Sequence, residues 1–281
     1  MGSVLDNNIK MNLKKLSKEE LINKVIEIQK EKQIEEDFLL NISHDLRSPL
    51  NVILSAIQCY CSKDKNDCIS IIKRNCFKML KLINNLIDTT KLNKKYYNLS
   101  LENIDIINLI EGNVELIDKY AKIKGISLVF DTNIEECEMA IDAYAMDRII
   151  TNLLSNAIKF SPRGENIYIN TLKNNDILTI SIKDHGIGIP KDEQKSIFNR
   201  FVQSSKNKIS ELGGSGIGLE LVKCLTEAHG GTINLISEEN KGSEFIIKMP
   251  IKKVENKLMK ENEIANSKVD VLEIEFSDIY L

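Results

Sequence analysis

The sequence lacks several features that mark common classes of protein. Its 281 residues include no tryptophan, only four prolines and three histidines, and the formal net charge at pH 7 is −3. No long basic run appears, which argues against a nucleic-acid partner. No stretch reaches the roughly 20 apolar residues that a membrane-spanning helix needs, and no signal peptide opens the chain. These absences predict a soluble, cytoplasmic protein with no membrane segment in this chain.

The six cysteines also lack the spacing of a metal site or a disulfide framework. None of them forms a CxxC pair, and none has a neighbouring histidine. We therefore expect reduced thiols that pack as small apolar groups. The chain is 42% hydrophobic, which is enough to predict that most of it folds around a buried core.

The first half of the chain has the apolar spacing of long helices. From about residue 16 the pattern predicts a helix, although Lys32 and Glu35 interrupt its apolar spacing. Intervals of three and four then recur from Leu39 to Tyr60, and again from Ile69 to Thr90. The pattern predicts an antiparallel helical hairpin within residues 1–95. A single hairpin is too narrow to bury the apolar stripes of both helices, so we expect two copies to form a dimeric four-helix bundle.

From about residue 99 the pattern changes to short, alternating strands and helices. Residues 96–252 predict an α/β sandwich, so the fold class of the whole chain is α+β. Residues 251–268 are charged and are expected to be loosely held. The tail, residues 253–281, ends in an alternating stretch typical of an edge strand. The predicted strands lie near 101–105, 126–131, 137–141, 166–173, 177–184, 232–237 and 243–249, and the predicted helices near 106–124, 143–160 and 217–229.

The stretch NISHDLRSPL carries the first candidate for chemistry. In the heptad register His44 occupies the most exposed position, with Asp45 beside it and Ser48 one turn further on. A neutral imidazole is a nucleophile, and an adjacent carboxylate can orient it and accept its proton. Pro49 removes one backbone hydrogen bond just behind the histidine. Taken alone, an ordinary surface histidine beside a tolerated proline is the simpler interpretation.

A second polar set lies on the helix predicted near residues 143–160. In DRIITNLLSNAIKF the side chains of Asn152, Asn156 and Lys159 share a face away from the apolar stripe. Amide oxygens suit Mg²⁺, and a lysine suits phosphate. As an isolated feature, a polar stripe of this kind is more often a solvated helix face.

Two glycine-containing segments complete the candidates. ISIKDHGIGIP is an apolar strand that ends at Asp184, a carboxylate able to accept a hydrogen bond from an exocyclic amine; a plain strand-to-loop turn is the alternative. GGSGIGL leads into a helix whose N-terminal amides can hold phosphate, although it has neither the P-loop lysine nor the spacing of a dinucleotide-binding fold. The glycines of these segments include Gly186, Gly188, Gly214, Gly216 and Gly218.

In order and spacing, these segments together resemble the sensor histidine kinases of two-component signalling. SHDLRSPL is similar to the H box of that family, NLLSNAIKF to the N box, DHGIGIP to the first glycine box, IFNRF to the F box and GGSGIGL to the second glycine box. The resemblance covers about residues 35–250. It implies a dimerisation and phosphotransfer hairpin followed by an ATP-binding domain of the Bergerat fold, as in gyrase.

The resemblance also implies a role for each matching residue. His44 is the expected phosphoacceptor and Asp45 its general base, and Asn156 is the expected Mg²⁺ ligand with Asn152 close by. ATP and Mg²⁺ are the implied cofactors. A response-regulator receiver domain is the implied partner, which receives the phosphoryl group on an aspartate. At the nucleotide the implied residues are Lys159 and Phe160, Asp184 at the adenine amine, Gly186 and Gly188 beside the base, and Gly214, Gly216 and Gly218 at the phosphates, at the hinge of a lid of about residues 202–215.

Two positions depart from the family pattern. Ser48 replaces the usual threonine, and Gln203 stands where many members have an arginine near the γ-phosphate; the nearby basic residues are Arg200, Lys206 and Lys208. The second departure keeps open a pseudokinase scaffold that dimerises and docks a partner. An ATPase of the gyrase or chaperone type is another alternative, but it leaves the exposed histidine unexplained. The sequence is also compatible with a fragment of a membrane-bound sensor.

Overall fold

A computed structural model describes residues 17–60, 65–93, 99–199, 202, 216–255 and 276. The chain divides into two compact units, Met1–Arg47 and Ser48–Leu281. The division falls inside the first helix, α1, which extends from Lys18 to Tyr60. The first unit is therefore helical from Lys18 onward, and the strands that the structure describes belong to the second unit.

Helix α1 begins with a capping box. The backbone N–H of Ser17 donates to Glu20 Oε2 at 2.7 Å, and the N–H of Glu20 donates to Ser17 Oγ at 3.3 Å. These bonds lower the pKa of the Glu20 carboxyl. Further along, the helix continues through Pro49, which is buried like Ala56 one heptad later.

The second long helix, α2, extends from Lys65 to Asn93. Both predicted helices of the first half are thus present. The turn between them, residues 61–64, and the linker at 94–98 lie outside the described residues. Among the helices that are described, none combines the length and apolar character that crossing a bilayer needs.

The rest of the second unit is a sandwich of helices on a sheet. Its elements are β1 (Glu102–Asp105), α3 (Ile106–Ile123), β2 (Ser127–Thr132), β3 (Glu138–Ile141), α4 (Ala143–Phe160), β4 (Asn166–Asn174), β5 (Ile177–Lys183), α5 (Gly218–Ala228), β6 (Thr232–Glu238) and β7 (Gly242–Pro250). Each predicted helix and strand of this region is confirmed, with ends that differ by no more than one residue.

The main sheet has five strands in the order β2-β4-β5-β7-β6. Strand β2 is parallel to β4, and the other neighbours are antiparallel. Strands β1 and β3 form a separate antiparallel pair. Helices α3, α4 and α5 supply apolar side chains to the same buried core as alternate residues of the sheet, such as Ile169, Ile180 and Ile247. This core fixes α4 against the sheet and so positions its polar residues.

Residues 251–255, the start of the segment expected to be loosely held, are instead tied to the β1–β3 pair. Lys252 accepts a hydrogen bond from the Ala140 backbone at 2.6 Å, and Val254 exchanges two bonds with the Asn103 side chain at 2.7 and 2.9 Å. The expectation was wrong here because it considered side-chain charge, whereas backbone groups make these bonds. The remainder of the predicted loose segment lies outside the described residues.

One residue far along the tail is described. Phe276 lies in a turn, and its side chain is fully buried in the domain core. Its ring stacks on Tyr120 of α3, with centroids 4.7 Å apart and planes inclined by 17°. The rest of the predicted edge strand falls outside the described part of the chain, and the sequence pattern did not predict a buried tail residue.

Candidate functional site

The site is built around a buried carboxylate at the end of β5. Asp184 is 6% exposed, and its Oδ1 accepts hydrogen bonds from the N–H groups of Gly186 at 2.8 Å and Ser243 at 3.2 Å. Burial raises the pKa of this carboxyl, while the two backbone bonds oppose the rise. Because both bonds end on Oδ1, Oδ2 is available to accept a hydrogen bond from a ligand.

The loop after β5 needs its two predicted glycines because backbone atoms pack directly against it. A Cβ on Gly186 would lie 2.6 Å from the carbonyl oxygen of Phe160. Gly188 has φ +65°, and a Cβ there would lie 2.0 Å from the carbonyl oxygen of Glu238. The loop is therefore wedged between the end of α4 and the end of β6, and a flat ligand can approach its backbone closely.

The turn between β6 and β7 supports that loop; the two strands were predicted from the sequence, but this contact of their turn was not. The Asn240 N–H donates to Ile187 O at 2.7 Å, and Ser237 Oγ accepts from the Ile189 N–H at 2.9 Å. Gly242, at φ +104°, lies against the Asp184 backbone. The tripeptide Asn-Lys-Gly between two strands is a turn signal, but nothing local connects that turn to the carboxylate.

Helix α4 brings Asn152 to the start of α5. The buried Asn152 side chain donates from Nδ2 to Arg148 O at 2.8 Å, and its Oδ1 lies 2.6 Å from the position that a Cβ on Gly218 would take. Helix α5 begins at Gly218, and Ile217 before it provides no side-chain cap. Ile217 therefore leaves the first amides of α5 without a side-chain cap, and such amides can bind an anion.

The last turn of α4 carries three more of the predicted residues. Asn156 is half-buried and Lys159 is buried, with its Nζ 5.4 Å from the centroid of the Phe160 ring. The carbonyl of Phe160 is the group that leaves no space for a side chain on Gly186. An amide, a cation and an aromatic ring therefore lie at the end of α4 that adjoins the Asp184 loop.

Lys124, which was not predicted as a site residue, caps this end of α4 from outside. Its Nζ donates to the carbonyls of Ile158 at 2.8 Å and Lys159 at 2.6 Å. Burial, and secondarily the charge of Arg163, lowers the pKa of Lys124. No pattern within α4 could identify this cap, because Lys124 follows α3 and precedes the last turn of α4 by 34 residues.

For several predicted residues the structure gives little or no information. Gly214, Gln203 and nearly all of the expected lid at 202–215 are among the residues that are not described. His44 and Asp45 belong to the backbone of α1, but their side chains are not described, so the exposed position of His44 stays a prediction. Two predicted residues remain: Ser48 is exposed on α1, and Gly216 has φ +69° just before α5.

The donor set suits a nucleotide better than a metal held by protein alone. No group of three or more His, Cys, Asp or Glu that could hold a metal occurs among the described residues. The half-buried Asn156 amide fits Mg²⁺, which keeps most of its waters and is bound largely through phosphates. A buried acceptor, close-packed glycines and an open helix N-terminus match the amine, ring and phosphates of a purine nucleotide.

Comparison with known proteins agrees with this chemistry. Residues 34–95 match the family described as "His Kinase A (phospho-acceptor) domain", and residues 141–253 match "Histidine kinase-, DNA gyrase B-, and HSP90-like ATPase". The sensor histidine kinase WalK of Bacillus subtilis is 31% identical over 242 residues, which are 83% of this chain and 39% of WalK. The chain thus spans about two fifths of that relative.

Solved structures give the same result. The crystal structure of full-length ShkA in complex with AMPPNP has a TM-score of 0.60 at 26% identity, over 78% of this chain and 47% of ShkA. Histidine kinase ThkA, in complex with response regulator TrrA, has a TM-score of 0.58 over 85% of this chain and 68% of ThkA; at 18% identity it shows a shared fold. A phospho-acceptor helical domain followed by this ATPase domain places the chain among the two-component sensor histidine kinases, whose catalytic core it carries.

Proposed function

We propose that the protein is an ATP-dependent histidine kinase that phosphorylates its own His44. The observation that carries this proposal is the assembly of the Asp184 carboxylate, the close-packed glycine loop and the open start of α5 in one domain. That domain follows a segment that matches a phospho-acceptor family. The AMPPNP bound to ShkA supports an adenine nucleotide as the ligand.

The adenine base lies against the loop after β5. Its exocyclic amine donates to Asp184 Oδ2, while Gly186 and Gly188 let the ring approach the backbone and Phe160 lines the pocket. The phosphates bind the first amides of α5 and the glycines Gly214, Gly216 and Gly218, and Lys159 contributes a point charge.

The Asn156 amide oxygen is the proposed ligand for Mg²⁺, with Asn152 holding the start of α5 in place. When bound, Mg²⁺ neutralises charge on the phosphates.

The transfer needs no other reactant. A ring nitrogen of His44 forms a bond to the γ-phosphorus, the bond from that phosphorus to the bridging oxygen breaks, and ADP leaves. The proton on the other ring nitrogen passes to Asp45 as general base. The N–P bond then breaks as an aspartate of a response regulator takes the phosphoryl group. The complex of ThkA with TrrA supports this class of partner.

Ser48 has a proposed role in dephosphorylation of the regulator, that is, in hydrolysis of its acyl phosphate. It is exposed on α1, one turn after His44, where its hydroxyl can position a water. We expect Ser48→Ala to lower regulator dephosphorylation while leaving phosphorylation of His44 within a few-fold, because Asp45 supplies the base. If Ser48→Ala and Ser48→Thr both match the parent in a dephosphorylation assay, Ser48 has no such role.

The pseudokinase alternative gains no support from the site. It requires lost asparagine or glycine positions, whereas Asn152, Asn156, Gly186, Gly188 and Gly218 are all present. Gln203, the departure that favoured it, lies outside the described residues.

The decisive experiment incubates the full chain with γ-labelled ATP and Mg²⁺. The label should be labile in acid and stable in base, as a phosphoramidate is, and His44→Ala should abolish it. The chain has three histidines, so His229→Gln is the matched control and should keep the label. An acid-stable label, or one that survives His44→Ala, would refute the proposal.

A further inference from the structure

The described residues of the C-terminal segment contact the ATP-binding domain at two separate places. Residues 251–255 are hydrogen-bonded along the β1–β3 pair. Phe276 is fully buried in the domain core, stacked on Tyr120 with 4.7 Å between ring centroids. The second attachment is a single aromatic side chain 21 residues after the first ends. No part of the proposed kinase mechanism uses it.

Phe276 docks one helical turn away from Lys124, the residue that caps the end of α4 at the nucleotide site. Tyr120 is in the last turn of α3, and Lys124 is the C-cap residue of that helix. Lys124 Nζ holds the carbonyls of Ile158 and Lys159. A rigid turn of helix therefore connects the Phe276 contact with the end of α4.

We propose that the C-terminal segment is an intramolecular ligand of the ATP-binding domain, with Phe276 as its anchor in an aromatic socket at Tyr120. Docking holds the last turn of α3 in place and, through Lys124, positions the end of α4 at the nucleotide site. The docking stands independently of the kinase reaction, whereas its effect on nucleotide affinity depends on the proposed function.

The chemistry of the socket favours this segment as occupant. The Phe276 and Tyr120 rings are nearly parallel, a contact that an aliphatic side chain can fill but cannot reproduce. Lys119 places its Nζ 4.8 Å from the centroid of the Tyr120 ring and is exposed. The sequence around the anchor, LEIEFSDIYL, carries acidic residues on both sides of the phenylalanine. The charge of this sequence is thus opposite to that of the lysine beside the socket, and Phe276 supplies the ring that stacks on Tyr120.

The docking is tested by hydrogen exchange in the full chain without nucleotide. Phe276→Ala should speed exchange of the last turn of α3 and of residues 158–160 by roughly tenfold or more, and Phe276→Leu, which keeps apolar volume, should do so less. Tyr144→Ala removes an exposed aromatic of the same domain and should change neither region. Unchanged exchange in Phe276→Ala would overturn the proposal.

A peptide of residues 268–281 separates docking from simple filling of the core. Added to the Phe276→Ala chain, it should restore slow exchange in α3 with saturation, and the same peptide with alanine at position 276 should not. If neither peptide protects α3, or both do so equally, Phe276 is not the anchor of a recognised segment. If only the native peptide protects α3 from exchange, the socket is a binding site for this segment.

The coupling to the nucleotide site is tested by ATP affinity in a calorimeter. Phe276→Ala and Lys124→Met should both raise the Kd for ATP several-fold relative to the parent, because each releases the end of α4. An unchanged Kd in Phe276→Ala, with faster exchange in α3, would refute the coupling. A parent chain that binds no ATP would instead refute the proposed function, and the exchange experiments would still decide the docking.

Discussion

At the scale of single residues, the proposed recognition of the base depends on the charge state of Asp184. Burial raises its pKa above the ordinary 3.8, and hydrogen bonds from Gly186 and Ser243 limit the rise. The carboxylate can accept from an amine through Oδ2, whereas the protonated acid presents a donor in its place. As the pH is lowered, recognition of the base should therefore fail at a higher pH than it would with an exposed aspartate in this position.

We predict that adenosine affinity falls as the pH is lowered through the raised pKa of Asp184. The stability of the free protein should respond to this group in the opposite direction: between that pKa and 3.8 the folded state binds more protons, so the free energy of unfolding rises as the pH falls. Calorimetric titration with adenosine, which has no phosphates to titrate, measures the first effect. Asp184→Asn should weaken binding and remove the pH dependence; an identical profile in that variant would contradict the assignment.

The site residues that were predicted from the sequence lie in one short motif, whereas those that were missed do not. Asp184 is needed as a hydrogen-bond acceptor, and Gly186 and Gly188 are needed because backbone atoms pack closely against them. Ser243 binds the Asp184 carboxylate through its N–H, which any residue except proline can donate. Lys124 acts from a distant helix end. Long-range contacts made by backbone atoms, or by one flexible side chain, leave no local pattern to read.

At the scale of elements, periodicity and caps explain why the predicted ends were nearly right. Asp105 illustrates the cap: its Oδ1 accepts from Ile107 at 3.1 Å at the start of α3 and from the backbone of Cys137 at 3.0 Å. The segment 251–255 and the Phe276 contact were missed for the opposite reason. Their stability comes from partners far away in sequence. Composition therefore classed residues 251–255 as loose, and the alternating pattern around Phe276 predicted an edge strand and not a buried side chain.

The double role of Asp105 makes it a sensitive point for stability. Asp105→Ala removes the cap of α3 and the partner of the Cys137 N–H, so we predict a loss of about 2 kcal/mol in the free energy of unfolding. Asp105→Asn keeps an acceptor oxygen and should lose less. Asp118→Ala, on the same helix, breaks an i,i+4 ion pair with Lys122, whose side chain is 73% exposed, and should change stability by less than about 0.5 kcal/mol. Urea denaturation measures all three, and equal losses for Asp105→Ala and Asp118→Ala would disprove the double role.

At the scale of the whole molecule, the helices of the second unit present an apolar face that the described chain does not cover. On α1, Leu50, Leu54 and Ile57 are exposed at intervals of four and three, although Pro49 and Ala56 on the same helix are buried. Helix α2 likewise exposes Ile69, Leu80 and Ile83. Such stripes are what a four-helix bundle of two copies would bury, which supports the proposed homodimer.

The dimer can be tested by placing charge on this face. Burying a leucine contributes roughly 1.5–3 kcal/mol, and two-fold symmetry applies each substitution twice, so Leu54→Asp should raise the dimer Kd by roughly a hundredfold or more. Light scattering over a range of micromolar concentrations should show the parent as a dimer and Leu54→Asp, alone or with Ile83→Asp, shifted to monomer. Ile236→Asp alters an apolar residue of β6 that is still more exposed, at 62%, and should leave the dimer intact. A monomeric parent would exclude the bundle, and a Leu54→Asp variant as dimeric as Ile236→Asp would move the interface elsewhere.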